Sequence, residues 1–207
     1  MFGDNQDAFH CDAEGGVFIV ADGIRGRPAG ARASKTVVNE LPRVIGAKLR
    51  DLPEPSAQCR AEALTSSLKE TSRLLYQNGK STPTRSGMGS TAVALLFTAE
   101  EVIAIYAGDS KIFRFSEGIL SELSTDQTTA AGLVRDGLMT EKEAVGHPLQ
   151  YSLEEYLGKA SPLKPGTEIV PLREDDCWIL ASDGLTRGLT NEEVADCLED
   201  ELPAEEL

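Results

Sequence analysis

The 207 residues carry 34 acidic and 20 basic side chains, a formal charge of −14, which would repel a nucleic-acid backbone or an anionic membrane surface. The length allows one large domain with a substantial core, and 41% hydrophobic with 26% charged residues is the balance of a soluble globular protein. No apolar run approaches the roughly 20 residues that span a bilayer, and Met1-Phe2-Gly3-Asp4 lacks the basic-then-apolar pattern of a signal peptide, so a cytoplasmic location is expected.

In chain order, Val17-Phe18-Ile19-Val20-Ala21 is a short β-rich run that stops at Asp22-Gly23, a buried strand and a turn. From about residue 29 to 49, Ala33, Val37, Leu41, Val44, Ile45 and Leu49 recur at helical spacing, with Pro42 expected to kink or divide the helix. After the Pro-rich break at 52–55, a second helix is expected over about 56–76, then a polar loop. Four strands follow, over 90–97, 101–107, 111–115 and 119–123, with Gly108-Asp109-Ser110 and Ser116-Glu117-Gly118 as turns. Residues 126–158 read as short helical pieces, 167–171 and 177–182 as strands, and 191–198 as a helix capped by Thr190 or Asn191.

Helices cluster, then strands, then helices again. That order predicts an α+β fold with antiparallel sheets in a single domain over 1–207. Cys11, Cys59, Cys177 and Cys197 form no Cys-x-x-Cys pair, and only two histidines are present, so a zinc site is not expected. The cysteines read as reduced core residues, and Trp178 with the strand aromatics as core.

Three aspartates share one setting. Asp22, Asp109 and Asp183 each end an apolar run and each adjoins a glycine. Singly, such a residue is a turn former. Together, at the ends of strands in packed sheets, they could converge, and converging carboxylates repel unless a cation neutralises them. Oxygen ligands favour hard ions such as Mg2+ or Mn2+, and Gly23 leaves its carbonyl open to one. Asp7, ahead of the strand carrying Asp22, is a fourth candidate. A carboxylate-bridged metal pair can hold a water as hydroxide and stabilise a phosphoryl group during in-line displacement.

Asn5-Gln6-Asp7-Ala8-Phe9, Val20-Ala21-Asp22-Gly23, Gly89-Ser90-Thr91-Ala92, Ala107-Gly108-Asp109-Ser110-Lys111 and Ala181-Ser182-Asp183-Gly184-Leu185 stand in the order and approximate spacing of the bacterial-type protein phosphatase 2C family. Asp126-Gln127-Thr128, Leu133 to Gly137, Glu143-Ala144, His147-Pro148 and Leu157-Gly158 resemble that family's flap segment, here about 126–158. Each motif is weak alone, but five in order are specific. The resemblance implies two packed antiparallel sheets flanked by helices, with two and at times three Mg2+ or Mn2+ ions between the sheets. Asp22 would bridge two ions, the Gly23 carbonyl would bind one, Asp183 would complete the other, and Asp7 would act directly or through water. Asp109 and Asp183 would hold a third, weaker ion. A metal-bridging water would attack phosphoserine or phosphothreonine of a protein, with no phosphoenzyme, opposing a serine/threonine kinase.

This sequence departs from the family pattern at four places. Phe2 stands where the family has a phosphate-binding arginine, and no Asp-Asn follows Asp183 to supply a late metal aspartate; Asp196 and Asp200 are poor substitutes. The resemblance therefore implies a chain shortened at both ends or diverged. Arg25 replaces a usual glycine, so Arg25 or Arg27 could reach the phosphate, against the plainer reading of exposed loop charges. Gln6 replaces a glutamate of some members, which removes a negative charge. A catalytically weak or inactive pseudophosphatase that binds a phosphoprotein or kinase is the alternative. A P-loop and a serine-hydrolase elbow are absent from the sequence.

Overall fold

The structure is a computed structural model that describes residues 5–24, 29–53, 56–81 and 87–199. Among these residues, eight strands form two antiparallel sheets. The larger contains β1 (Asp7–Asp12), β2 (Val17–Asp22), β3 (Ala92–Phe97), β4 (Glu101–Ala107) and β7 (Gly166–Pro171), in the order β1-β2-β3-β4-β7. The smaller has the order β6-β5-β8, from β5 (Lys111–Ser116), β6 (Ile119–Glu122) and β8 (Cys177–Ala181). Helices α1 (Gly30–Arg50) and α2 (Ala57–Lys80) pack together, α1 on β1 and β2 and α2 on β4 and β7. β8 of the small sheet touches β2 and β3, and the C-terminal helix α6 (Asn191–Glu199) lies against β6. This is the α+β, antiparallel architecture that the element order predicts, with the packed sheets and flanking helices that the resemblance implies.

Two cores follow from the period-2 alternation of the strands. On β2, Val17, Ile19 and Ala21 enter the core shared with the helices, beside Val37, Leu41, Ile45, Leu64 and Leu68. Val20 faces the other way and joins Val93, Leu95, Val102, Ala104 and Ile112 between the sheets. On β1, Ala8 packs toward the helices. The same parity therefore sends Asp22 and Asp7 to the inter-sheet side, at the end of the cleft.

Three element readings require correction. α1 is not divided at Pro42. Proline inside a helix costs about 3 kcal/mol, and full burial of Val37, Leu41 and Ile45 at about 1.5–3 kcal/mol per side chain outweighs it. Residues 7–12 form a strand that sequence reading left unassigned, because its exposed edge position leaves little apolar alternation to detect. Asp183 opens a short helix, α5 (Asp183–Gly188), rather than a simple turn. The segment 126–158 does break into short pieces: α3 (Thr129–Arg135), α4 (Glu141–Ala144) and a 3-10 turn over Pro148–Tyr151. The final helix is capped by Thr190, whose hydroxyl accepts from the Glu193 N–H while its own N–H donates to the Glu193 carboxylate.

The four cysteines are free but do not belong to the core. Cys11 and Cys197 are exposed and Cys59 and Cys177 half-buried, on an edge strand, helices and the border of the small sheet. Trp178 is likewise half-buried at that border, edge-to-face with Phe97 at 5.9 Å. Phe113, in the central strand of the small sheet, is fully buried.

Candidate metal centre

Asp22 ends β2 on the inter-sheet side, and its backbone is held from the neighbouring strand. Its N–H donates to Thr91 Oγ1 at 3.1 Å, and its carbonyl accepts from the Thr91 N–H at 2.8 Å and from Ser90 Oγ at 2.9 Å. Thr91 Oγ1 is itself 2.7 Å from Ser110 Oγ. The motif residues Ser90, Thr91 and Ser110 thus fix the strand end that carries the carboxylate. This supporting role went unread in the sequence, because the bonds join positions far apart along the chain.

Asp7 is the ladder partner of Asp22 across β1 and β2, and the two carboxyls hydrogen-bond. Ser182 Oγ, just after β8, donates to Asp7 Oδ2 at 2.9 Å and so ties the two sheets together at this end. The Gly23 N–H donates to the Gln6 carbonyl at 3.1 Å, while the reciprocal bond from the Gln6 N–H to the Gly23 carbonyl is not formed. A Cβ on Gly23 would lie 2.2 Å from the Gly30 carbonyl oxygen, so only glycine lets the start of α1 approach this closely.

Asp109 occupies the turn between β4 and β5. Gly108 before it has φ 114°, and a Cβ there would meet Thr91 Cγ2 at 2.6 Å. Gln127 holds the turn twice: its side-chain oxygen accepts from the Gly108 N–H, and its N–H donates to the Gly108 carbonyl, both at 3.0 Å. Asp183, at the first position of α5, pairs with Arg187 one helical turn later. The Arg187 guanidinium lies 5.2 Å from the centre of the Tyr151 ring.

Asp22, Gly23, Thr91, Asp109, Tyr151, Asp183 and Arg187 line one cavity of about 400 Å3. Asp7 borders it through its contact with Asp22. Burial, then the charge and hydrogen bond of Asp7, then the charges of Asp183 and Asp109, push Asp22 up from 3.8 to about 7. Burial and the charges of Asp183 and Asp126 push Asp109 up to about 6, against a weaker pull from Arg187. The four aspartates singled out in the sequence therefore share one electrostatic neighbourhood.

The donors fit a hard divalent cation: carboxylate oxygens under mutual repulsion, beside a backbone carbonyl left out of the strand ladder. Among the described residues, however, no three acidic side chains converge tightly enough to chelate an ion unaided. Gln6 adds no charge, and its side-chain oxygen is buried without a partner among the described residues. Asp196 lies in α6, outside the residues that line the cavity. Phe2, Arg25, Arg27 and Asp200 lie outside the described residues.

Residues 4–204 match the family described as protein phosphatase 2C. The chain belongs to that family. This protein phosphatase 2C chain is 32% identical over 180 residues to a protein phosphatase 2C-type protein of Streptococcus pyogenes, covering 87% of the chain and 71% of that protein. The S. agalactiae serine/threonine phosphatase superposes with a TM-score of 0.86 at 29% identity, covering 100% of the chain and 84% of that structure. The catalytic domain of the phosphatase PstP, solved in complex with two manganese ions, superposes with a TM-score of 0.78 at 24% identity, over 98% of the chain and 80% of that structure, and shares the fold. Among the described residues no helix is long and apolar enough to cross a membrane.

Arg187, Tyr151 and Leu153 are cavity residues that sequence reading missed. The available signal was the four-residue spacing from Asp183 to Arg187, which places both on one face of a helix. It became readable only once α5 was known to be a helix.

Proposed function

We propose that this chain is a metal-dependent protein serine/threonine phosphatase, with residues 1–207 acting as one catalytic domain. Its substrates would be phosphoserine and phosphothreonine of cytoplasmic proteins modified by a serine/threonine kinase. One observation supports the reading: Asp22, Asp109 and Asp183, from three separate segments, line one inter-sheet cavity, Asp7 lies beside Asp22, and together with burial these neighbours push Asp22 up to about 7. A stable fold tolerates such repulsion when a bound cation relieves it.

Asp22, Asp7, Asp183 and the Gly23 carbonyl would hold Mg2+ or Mn2+, with Asp109 and Asp183 contributing to a third, weaker site. When bound, such ions supply a hydroxide at neutral pH and neutralise charge on the phosphoryl oxygens. With burial and the neighbouring Asp7 raising it to about 7, Asp22 keeps its proton far above the ordinary aspartate range, and binding a cation there would release it. Ser90, Thr91 and Ser182 keep both carboxyls oriented. Nothing in this arrangement requires a phosphoenzyme.

The second reading, a pseudophosphatase, draws support from the same site. The carboxylates do not converge on one point, and Asp183 is engaged by Arg187. A cation site short of one carboxylate binds weakly, down to about millimolar affinity for hard cations. Hydrolysis of p-nitrophenyl phosphate with Mn2+, with EDTA and after Asp22→Ala separates the readings. Mn2+-dependent turnover abolished by Asp22→Ala is the expected result. Absence of turnover at saturating Mn2+ in the unsubstituted protein would establish the binding module instead.

A further inference from the structure

We propose that Arg187 binds the phosphoryl group of the substrate in the acidic cavity and thereby sets substrate affinity. The inference rests on the phosphatase reading above.

The cavity poses an electrostatic difficulty. Asp22, Asp109 and Asp183 line it, and each repels a phosphate dianion. Among the described residues, Arg187 is the only lysine or arginine lining the same space. It is also held in place there. One turn of α5 sets it beside Asp183, and the Tyr151 ring receives its guanidinium at 5.2 Å from the centroid. A guanidinium restrained from two sides loses little further freedom on gripping a ligand.

Donor capacity remains after both contacts. The ion pair with Asp183 runs through Nη2, whereas a guanidinium carries five N–H donors in a fork that matches two oxygens of a phosphate. The Arg187 side chain is 46% exposed, so an incoming ligand can reach it. A cation held by Asp183 would compete with Arg187 for that carboxylate, while the Tyr151 contact would remain to hold the guanidinium. The plainer alternative makes Arg187 only an internal counter-ion for Asp183. The two differ in what removal does: a counter-ion governs cation affinity, a phosphate ligand governs phosphate affinity.

Calorimetric titration of inorganic phosphate and of Mn2+ into the unsubstituted protein, Arg187→Ala and Arg187→Lys distinguishes them, with KM and kcat for a phosphothreonine peptide measured in parallel. Loss of a charge-assisted bond predicts a weakening of phosphate binding by about tenfold or more in Arg187→Ala, with KM rising in step. kcat should change much less, and Arg187→Lys should recover part of the loss. Unchanged phosphate affinity and KM together with tighter Mn2+ binding would overturn the proposal in favour of the counter-ion, and so would failure of the unsubstituted protein to bind phosphate. Phosphate binding lost in Arg187→Ala, in a protein that shows no turnover, would support Arg187 and refute the phosphatase reading.

Discussion

Asp7 and Asp22 face each other across the β1–β2 ladder with their carboxyls hydrogen-bonded, at the end of the cleft between the sheets. Two like charges in a cross-strand pair oppose folding, so this pair works against the stability of the metal-free chain. Asp7→Asn removes one charge and leaves an amide that can still accept from Ser182 Oγ. It should raise the melting temperature of the protein in EDTA at pH 8 by a few degrees, as about 1 kcal/mol does for a domain of this size. The same substitution should weaken Mn2+ binding by about tenfold or more, since an amide replaces a charged ligand. Thermal melts beside a calorimetric Mn2+ titration would show the opposed signs. Lower stability and unchanged Mn2+ affinity would contradict both.

The pH dependence of stability follows from the same group. The folded chain holds a proton on Asp22 up to about pH 7, whereas an ordinary aspartate releases it near 3.8. Asp109, raised to about 6, adds in the same direction. Across this window the folded state binds more protons than the unfolded state, so stability from these groups falls as pH rises from about 4 to 7. In EDTA, urea midpoints should therefore decline from pH 5 to pH 8. Saturating Mn2+ should reduce that decline, because a bound cation replaces the protons. A midpoint that rises over this range in EDTA and is indifferent to Mn2+ would rule the linkage out.

Away from the cavity, Arg114 on β5 donates through Nε to Asp176 Oδ2 at 2.7 Å, and the Asp176 side chain is only 2% exposed. Removing Arg114 leaves the Asp176 carboxylate without its charged partner, which destabilises the fold. Arg114 also lies over the Trp178 ring, at 5.8 Å from its centroid. Arg114→Ala should lower the urea midpoint markedly, and Arg114→Ala with Asp176→Ala should recover part of the loss. A double variant no more stable than the single one would show that the charge is not the cause.

Which parts of this were readable beforehand depended on the range of the interaction involved. Val17–Ala21, β3 to β6 and β7 carry dense apolar or β-branched runs, and α1 and α2 carry apolar residues at helical spacing, so local pattern located them. The aspartates at strand ends were legible because a carboxylate beside glycine after an apolar run is a local signal, and the ordered motifs tied them to a family. β1 was not legible, being an exposed edge strand whose pairing with β2 is a long-range event. Pro42 does not divide α1 because its local cost is overridden by burial that the sequence does not display.

The antiparallel α+β class and the identity of the acidic residues are written in side-chain type and period along the chain, and so can be read locally. The tertiary structure alone decided that Asp7 lies against Asp22, that Ser182 joins the sheets at Asp7, and that Arg187 stands in the same cavity. Those facts depend on strand register and on how one sheet lies over the other. Both are set by packing between residues up to 175 positions apart, and no local pattern encodes a distance in space.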